Sequence, residues 1–108
     1  MGYGLGLRIL SAEAARVAGK IEQHISDRGG SLSAWYAGIT DDPERRLFTE
    51  HNVSKQTGHW VYRKCSTDDI AREVEQHFLG KGCKGGPGGG KRAAKYVYAY
   101  KVTNSTVE

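Results

Sequence analysis

Residues 35–46, Trp-Tyr-Ala-Gly-Ile-Thr-Asp-Asp-Pro-Glu-Arg-Arg, constrain the fold more than any other stretch of the chain. Trp35, Ala37 and Ile39 alternate with Tyr36 and Gly38, the period of two that a strand requires. Asp42 is suited to accept hydrogen bonds from the free N–H groups of a new helix, and Pro43 suits its first position. A strand should therefore turn sharply into a helix here. Gly38 leaves a gap on the strand face that carries Tyr36, open to a ligand or a neighbouring backbone.

The same punctuation organises the rest. After a glycine-rich lead-in over residues 1–10, Ser11 is a plausible N-cap with Glu13 in the first turn. Ala14, Val17, Ala18, Ile21 and Ile25 then share one helical face, which predicts a packing helix to about Asp27. Arg28-Gly29-Gly30 stops it. His24, one position from Ile25, reads as a surface residue. The helix from Pro43 turns Leu47 and Phe48 inward and ends near His51-Asn52. Residues 59–64 read as a second strand rich in aromatic and β-branched residues. Ser66, with Asp69 three positions on, resembles a capping box for a third helix running to about Leu79. Its apolar stripe is Ile70, Val74, His77 and Phe78, and Gly80 can cap it. Lys95 to about Val102 forms the last strand, with Tyr96, Tyr98, Tyr100 and Val102 on one face. Residues 103–108 read as a frayed tail.

Three helix–strand pairs fit either a parallel α/β sheet or a small mixed α+β sandwich. At 108 residues the chain is expected to be a single domain, 1–108, with a modest core. It has no apolar run approaching a membrane span and no signal-peptide pattern, which leads to the expectation of a cytoplasmic protein with no membrane partner. Cys65 and Cys83 form neither a zinc pattern nor a disulfide framework, as expected of reduced thiols. The net charge of +4 suits a phosphate-bearing partner and equally a solubilising surface.

Residues 80–92 hold seven glycines and four lysine or arginine residues. The backbone N–H groups of 85–90, with Lys84, Lys91 and Arg92 nearby, offer a phosphate-binding nest. The Gly-Lys-Ser/Thr ending of a nucleotide phosphate loop is absent, and the composition also describes a flexible connector. Tyr96, Tyr98 and Tyr100 are suited to stacking on bases or to filling a core.

Tyr36-Ala37-Gly38, with Arg46 ten positions after the tyrosine, resembles the second half of the GIY-YIG nuclease motif. That half is a Tyr-x-Gly strand whose following helix carries an arginine at this spacing. The run Tyr-x-Gly-x-Thr-x-x-Pro-x-Arg-Arg is similar to the structure-specific and excision-repair branches of the family. Ala71-x-x-x-Glu75 resembles the family's third-helix signature, and His51-Asn52 resembles its His-Asn ending. The resemblance covers about residues 33–80. It implies an α+β fold, a small three-stranded mixed or antiparallel sheet flanked by helices, with an extra N-terminal helix.

The resemblance further implies metal-dependent hydrolysis of phosphodiesters in nucleic acid. Tyr36 would take a proton from water, Arg46 would grip the phosphate and lower the phenol's pKa, and Glu75 would hold Mg²⁺ or Mn²⁺. Arg45 is a further phosphate contact. The family's histidine or tyrosine comes four residues after this arginine, where this chain has Glu50; His51 comes at five, so His51 belongs to the site only if the helix end winds differently. The expected partner is nucleic acid, DNA ahead of RNA, or a nucleotide, and a homo-oligomer or partner protein would supplement so small a domain. The chain departs from the family in one half-motif: no Gly-x-Tyr strand lies about ten residues upstream of Tyr36, and the nearest earlier tyrosine is Tyr3. Two alternatives stay open. One is a non-catalytic relative that binds nucleic acid or a nucleotide by its phosphate; the other is a protein-interaction module with a basic surface. In ordinary structural terms Tyr36 is a core aromatic, Arg46 pairs with Glu50 and Glu75 is a solvated flank beside Arg72.

Overall fold

The computed structural model describes residues 9–86 and 93–108. Helix α1 spans Ala12–Asp27, and the Ser11 side chain accepts from the Ala14 amide as its N-cap. Its apolar stripe, Ala14, Val17, Ala18, Ile21 and Ile25, is buried as its period demands. After a single 3₁₀ turn at Leu32–Ala34, strand β1 runs Trp35–Thr40. A helical turn then begins at Pro43 and widens into a π turn at Arg45–Glu50. Strand β2 (Trp60–Lys64), helix α2 (Asp68–Gly80) and strand β3 (Tyr96–Lys101) complete the order.

The predicted capping box at Ser66 does not form. Thr67 is the N-cap of α2, accepting from the Ile70 amide at 3.1 Å. Ser66 is drawn instead to Glu13 at the start of α1, with its amide and its hydroxyl both donating to that carboxylate. A contact across 53 residues thus decides which of two neighbouring hydroxyls caps the helix. Ser11 makes the reciprocal tie, donating to Glu73 of α2 at 2.8 Å.

The three strands form one antiparallel sheet in the order β1-β3-β2, which excludes the parallel α/β alternative. β3 is the middle strand. Trp35, Ala37, Ile39, Val97, Ala99 and Val61 face α1 and α2 and make the larger core. Tyr36, Tyr98 and Tyr100 face the other way, against Leu47 and Val53 of the π turn and its exit. The outer edge of β1 is not bare. Lys84 forms a parallel bridge beside Tyr36: its amide donates to the Trp35 carbonyl at 2.8 Å, and its carbonyl accepts from the Ala37 amide at 2.9 Å. The start of the glycine-rich loop is thereby pinned against β1. Cys65 and Cys83 are free and buried, and burial pushes both thiols up to about 11. Among the described residues no helix is long and apolar enough to cross a membrane.

The tail is docked, not frayed. The Val107 amide donates to the His51 carbonyl at 2.8 Å, and Asn52 Nδ2 donates to the Ser105 carbonyl at 2.9 Å. Asn52 itself takes a left-handed backbone (φ 57), which asparagine tolerates better than most residues.

Candidate functional site

The site grows from the π turn. Asp42 caps its entry as expected, accepting from the Arg45 amide at 3.1 Å. The hydrogen bonds of the turn then span one residue more than those of an α-helix: the His51 amide donates to the Arg46 carbonyl, five residues back, at 2.9 Å. In this geometry i and i+5 share a face, so His51 and Arg46 both point at the aromatic side of the sheet. The five-residue spacing that departs from an α-helical pattern is thus absorbed by the backbone.

Tyr98 lies at the meeting point. The gap expected over Gly38 is filled: Tyr98 stands opposite Gly38 in the β1–β3 ladder and lays its phenol across it. A Cβ at Gly38 would sit 2.6 Å from the Tyr98 oxygen. Arg46 Nε donates to that oxygen at 3.2 Å. The Tyr98 oxygen is 2.7 Å from His51 Nε2, and His51 Nδ1 is 2.6 Å from the Val107 carbonyl. A carbonyl can only accept, so Nδ1 carries the proton and Nε2 accepts from the Tyr98 hydroxyl. Tyr100 closes the set with its oxygen 3.0 Å from Nδ1. One directed chain results: Arg46 to Tyr98, Tyr98 to His51, His51 to the Val107 carbonyl.

Tyr36 sits beside this chain. Its ring stacks on Tyr100 with centroids 5.2 Å apart and meets His51 at 4.7 Å. Burial pushes its phenol pKa up, with the Arg46 charge acting in the opposite direction. The expected lowering by Arg46 is therefore present but outweighed, and Tyr36 is a neutral phenol in this state. Burial also raises Tyr98 and Tyr100. His51 is buried, and its pKa is pushed down chiefly by that burial, so the imidazole is neutral.

Glu75 reaches this region from α2. It is half-buried, its pKa is raised by desolvation, and Arg72 one turn earlier offsets this only in part. Its charge is felt by both the Tyr36 and the Tyr98 phenols, so it belongs to the same neighbourhood although α2 packs on the other face of the sheet. It makes no hydrogen bond to any described residue. No three His, Cys, Asp or Glu side chains cluster as a metal cage among the described residues.

The two arginines differ. Arg46 is bonded to Tyr98 and to Glu50 Oε1 at 2.5 Å, which together hold its pKa above the ordinary arginine value. Arg45 is exposed and already matched by carboxylates: Glu50 at 3.1 Å, Asp41 at 3.2 Å and Asp42 at 3.6 Å. Glu50 clamps both guanidiniums at once. As a phosphate contact Arg45 starts from a neutralised state. Lys84 is exposed, with its backbone beside Tyr36, and a Cβ at Gly86 would lie 3.0 Å from the Tyr36 oxygen. Lys91 and Arg92 lie outside the described residues.

Tyr36, Arg46 and His51 are brought together, with Glu75 within electrostatic reach. Tyr98, Tyr100 and the Val107 carbonyl join them without having been singled out for this role. The alternation of Tyr96, Tyr98 and Tyr100 is readable in the chain, but nothing local says that their strand is the neighbour of Tyr36. The strand paired with the Tyr-x-Gly strand comes from residues 96–101, not from upstream. Comparison with protein-family models, with curated proteins and with solved structures finds no match.

Proposed function

We propose that this domain hydrolyses phosphodiester bonds in nucleic acid, DNA by preference, as a GIY-YIG-like endonuclease assisted by Mg²⁺ or Mn²⁺. The observation that carries the reading is the directed chain from Arg46 through Tyr98 to His51, lying beside Tyr36 and within reach of Glu75. Hydrolysis needs a proton acceptor for water and a cation for the phosphate. Neutral His51 offers the acceptor, and the described partner of its Nε2 is the Tyr98 hydroxyl. The proton of Tyr98 therefore has a destination, whereas the Tyr36 proton has no described acceptor. On this reading Tyr98 and Tyr36 flank the water and His51 draws its proton through Tyr98.

Arg46 holds the scissile phosphate once Glu50 yields its place. A guanidinium that already donates to Tyr98 by Nε keeps its terminal nitrogens for the anion, which fixes the phosphate relative to the phenol. Glu75 fits a divalent metal in one respect: it is a half-buried carboxylate with no hydrogen-bond donor among the described residues, an arrangement costly unless a cation arrives. Bound there, Mg²⁺ or Mn²⁺ would neutralise charge on the phosphate and leaving oxygen.

The test is cleavage of branched, single-stranded and duplex DNA with and without Mg²⁺ or Mn²⁺, beside Glu75→Ala and Arg46→Ala controls. Metal-dependent cleavage lost in both variants supports the reading. Metal-independent cleavage, or full activity in Glu75→Ala, removes the metal role. A second reading, a non-catalytic phosphate binder, is favoured by the tight Arg46–Glu50 pair and by the raised Tyr36 phenol. It predicts binding without cleavage under every metal condition.

A further inference from the structure

His51 holds its proton on Nδ1, whereas a histidine side chain free in water prefers to hold it on Nε2. In a folded chain the choice is set by the bonds that the two nitrogens make. Here Nε2 is 2.7 Å from the Tyr98 oxygen and Nδ1 is 2.6 Å from the Val107 carbonyl. Tyr98 is built into the middle strand of the sheet. The Val107 carbonyl belongs to a segment of a different kind.

Residues 103–107 are held by hydrogen bonds. The Val107 amide donates to the His51 carbonyl at 2.8 Å, and Asn52 Nδ2 donates to the Ser105 carbonyl at 2.9 Å. The Thr103 amide closes a small turn on the Thr106 hydroxyl at 3.0 Å. The Val107 side chain is 56% exposed, and Thr103, Asn104 and Ser105 are exposed as well. A segment with so little apolar burial opens more readily than the sheet on which it lies. A second proton donor stands ready beside Nδ1. The Tyr100 oxygen is 3.0 Å from it, and that hydroxyl donates at present to the same Val107 carbonyl at 3.3 Å.

We propose that residues 105–107, anchored by Asn52, are the positioning element of His51: docked, they hold its proton on Nδ1 and present Nε2 as the acceptor for Tyr98. Lifting them removes the acceptor of Nδ1 and frees the Tyr100 hydroxyl to donate to that nitrogen. The imidazole can then carry its proton on Nε2 and donate to the Tyr98 oxygen, which reverses the bond between them. Each phenol keeps its proton and the ring stays neutral; the ring proton alone changes nitrogen, by exchange with water. In the reversed state Nε2 takes nothing from Tyr98. Two effects oppose complete reversal. Tyr98 is 1% exposed and would lose the acceptor of its own proton, and the Arg46 donation to its oxygen favours its acting as a donor. Lifting the segment therefore produces a mixture of tautomers. The effect on the imidazole follows from these bonds alone; its bearing on cleavage rests on the nuclease reading above.

Two variants test this. Asn52→Gly keeps the left-handed backbone (φ 57) and removes the anchor on Ser105. Deletion of residues 103–108 removes the segment. Long-range proton–nitrogen NMR spectra at neutral pH distinguish a protonated from a bare ring nitrogen. The unmodified chain should show a protonated Nδ1 and a bare Nε2 at His51. The deletion should bring both signals to intermediate positions and Asn52→Gly should move them part of the way. His77 and His24, the latter half-buried where its place beside Ile25 suggests a surface residue, should keep theirs. In cleavage assays the deletion should lower kcat at least tenfold with KM unchanged. A deletion that keeps a single Nδ1–H tautomer overturns the proposal and leaves Tyr98 as the group that sets it. An Nε2–H or doubly protonated ring in the unmodified chain also overturns it. If circular dichroism shows that the deletion does not fold, Asn52→Gly decides, and an unchanged His51 spectrum overturns the proposal. Redistribution with unchanged kcat overturns the positioning role in cleavage. Redistribution in a chain that never cleaves supports the positioning of His51 and removes the nuclease reading.

Discussion

The His51 amide donates to the Arg46 carbonyl five residues back, and this bond turns both side chains toward one phenol, that of Tyr98. An α-helical turn at the same place would present Glu50 in register with Arg46 and leave His51 about 140° round the helix from Arg46. π turns recur at functional sites because a local widening re-aims one side chain without disturbing the neighbouring elements. Deleting Thr49 should restore α-helical winding, remove the His51–Tyr98 bond and abolish cleavage. Loss of the perturbed His51 ring resonance in NMR would report the change directly.

Tyr98→Phe keeps the ring over Gly38 but leaves His51 Nε2 and Arg46 Nε without a partner. The expected cost is about 1–3 kcal/mol in stability, the usual effect of stranding a buried polar atom. Cleavage should fall by at least a hundredfold with binding unaltered. An active Tyr98→Phe enzyme would return the proton-accepting role to Tyr36.

Gly38→Ala tests close approach. Its Cβ would press on the Tyr98 oxygen, and β1 and β3 are fixed by their ladder, so the phenol must move. We expect a loss of about 1–3 kcal/mol, typical of overpacking, and disruption of the Arg46–Tyr98–His51 chain. Thermal unfolding and cleavage rate measure the two effects separately.

Glu50→Gln removes the clamp on both arginines. If Arg46 and Arg45 serve phosphate, affinity for DNA should rise severalfold and its salt dependence should steepen. A structural role alone predicts reduced stability with no change in affinity.

The pH dependence follows from His51. Its folded pKa lies below the ordinary value of about 6.5, so the unfolded chain binds the extra proton first as pH falls. Stability from this group is complete above about pH 6.5 and is lost as the pH falls toward the folded pKa. The acid limb of the cleavage profile should lie below pH 6.5, and His51→Gln should flatten it. Glu75 behaves oppositely: its raised pKa means that its ionised form disfavours the fold at neutral pH. Glu75→Gln should therefore raise the melting temperature, and on the nuclease reading it should end metal-dependent cleavage.

The elements were legible where their signals are local. The strand at 35–40, the Asp42 cap and the stripe of α1 follow from alternation, capping chemistry and helical period. What was illegible is non-local. Ser66 and Thr67 are equally good caps until Glu13 claims the first. The π winding leaves no hydrophobic period to read in six residues. Residues 103–108 are polar and short, yet backbone bonds to His51 and Asn52 hold them in place. The place of Tyr98 over Gly38 depends on sheet order, which two strands of similar composition do not announce.

That order has a consequence in time. Among the described strands β1 and β2 each pair with β3, whose first residue follows theirs by 61 and 36 positions in the chain. No strand pair of this sheet can form until residues near 101 have been made, and closing loops of that length is slow. Until then Tyr36 has neither Tyr98 nor Tyr100 beside it, and His51 has no phenol to accept from. A nascent chain therefore carries no assembled cluster until β3 has been made: one strand completes both the sheet and the aromatic cluster around His51.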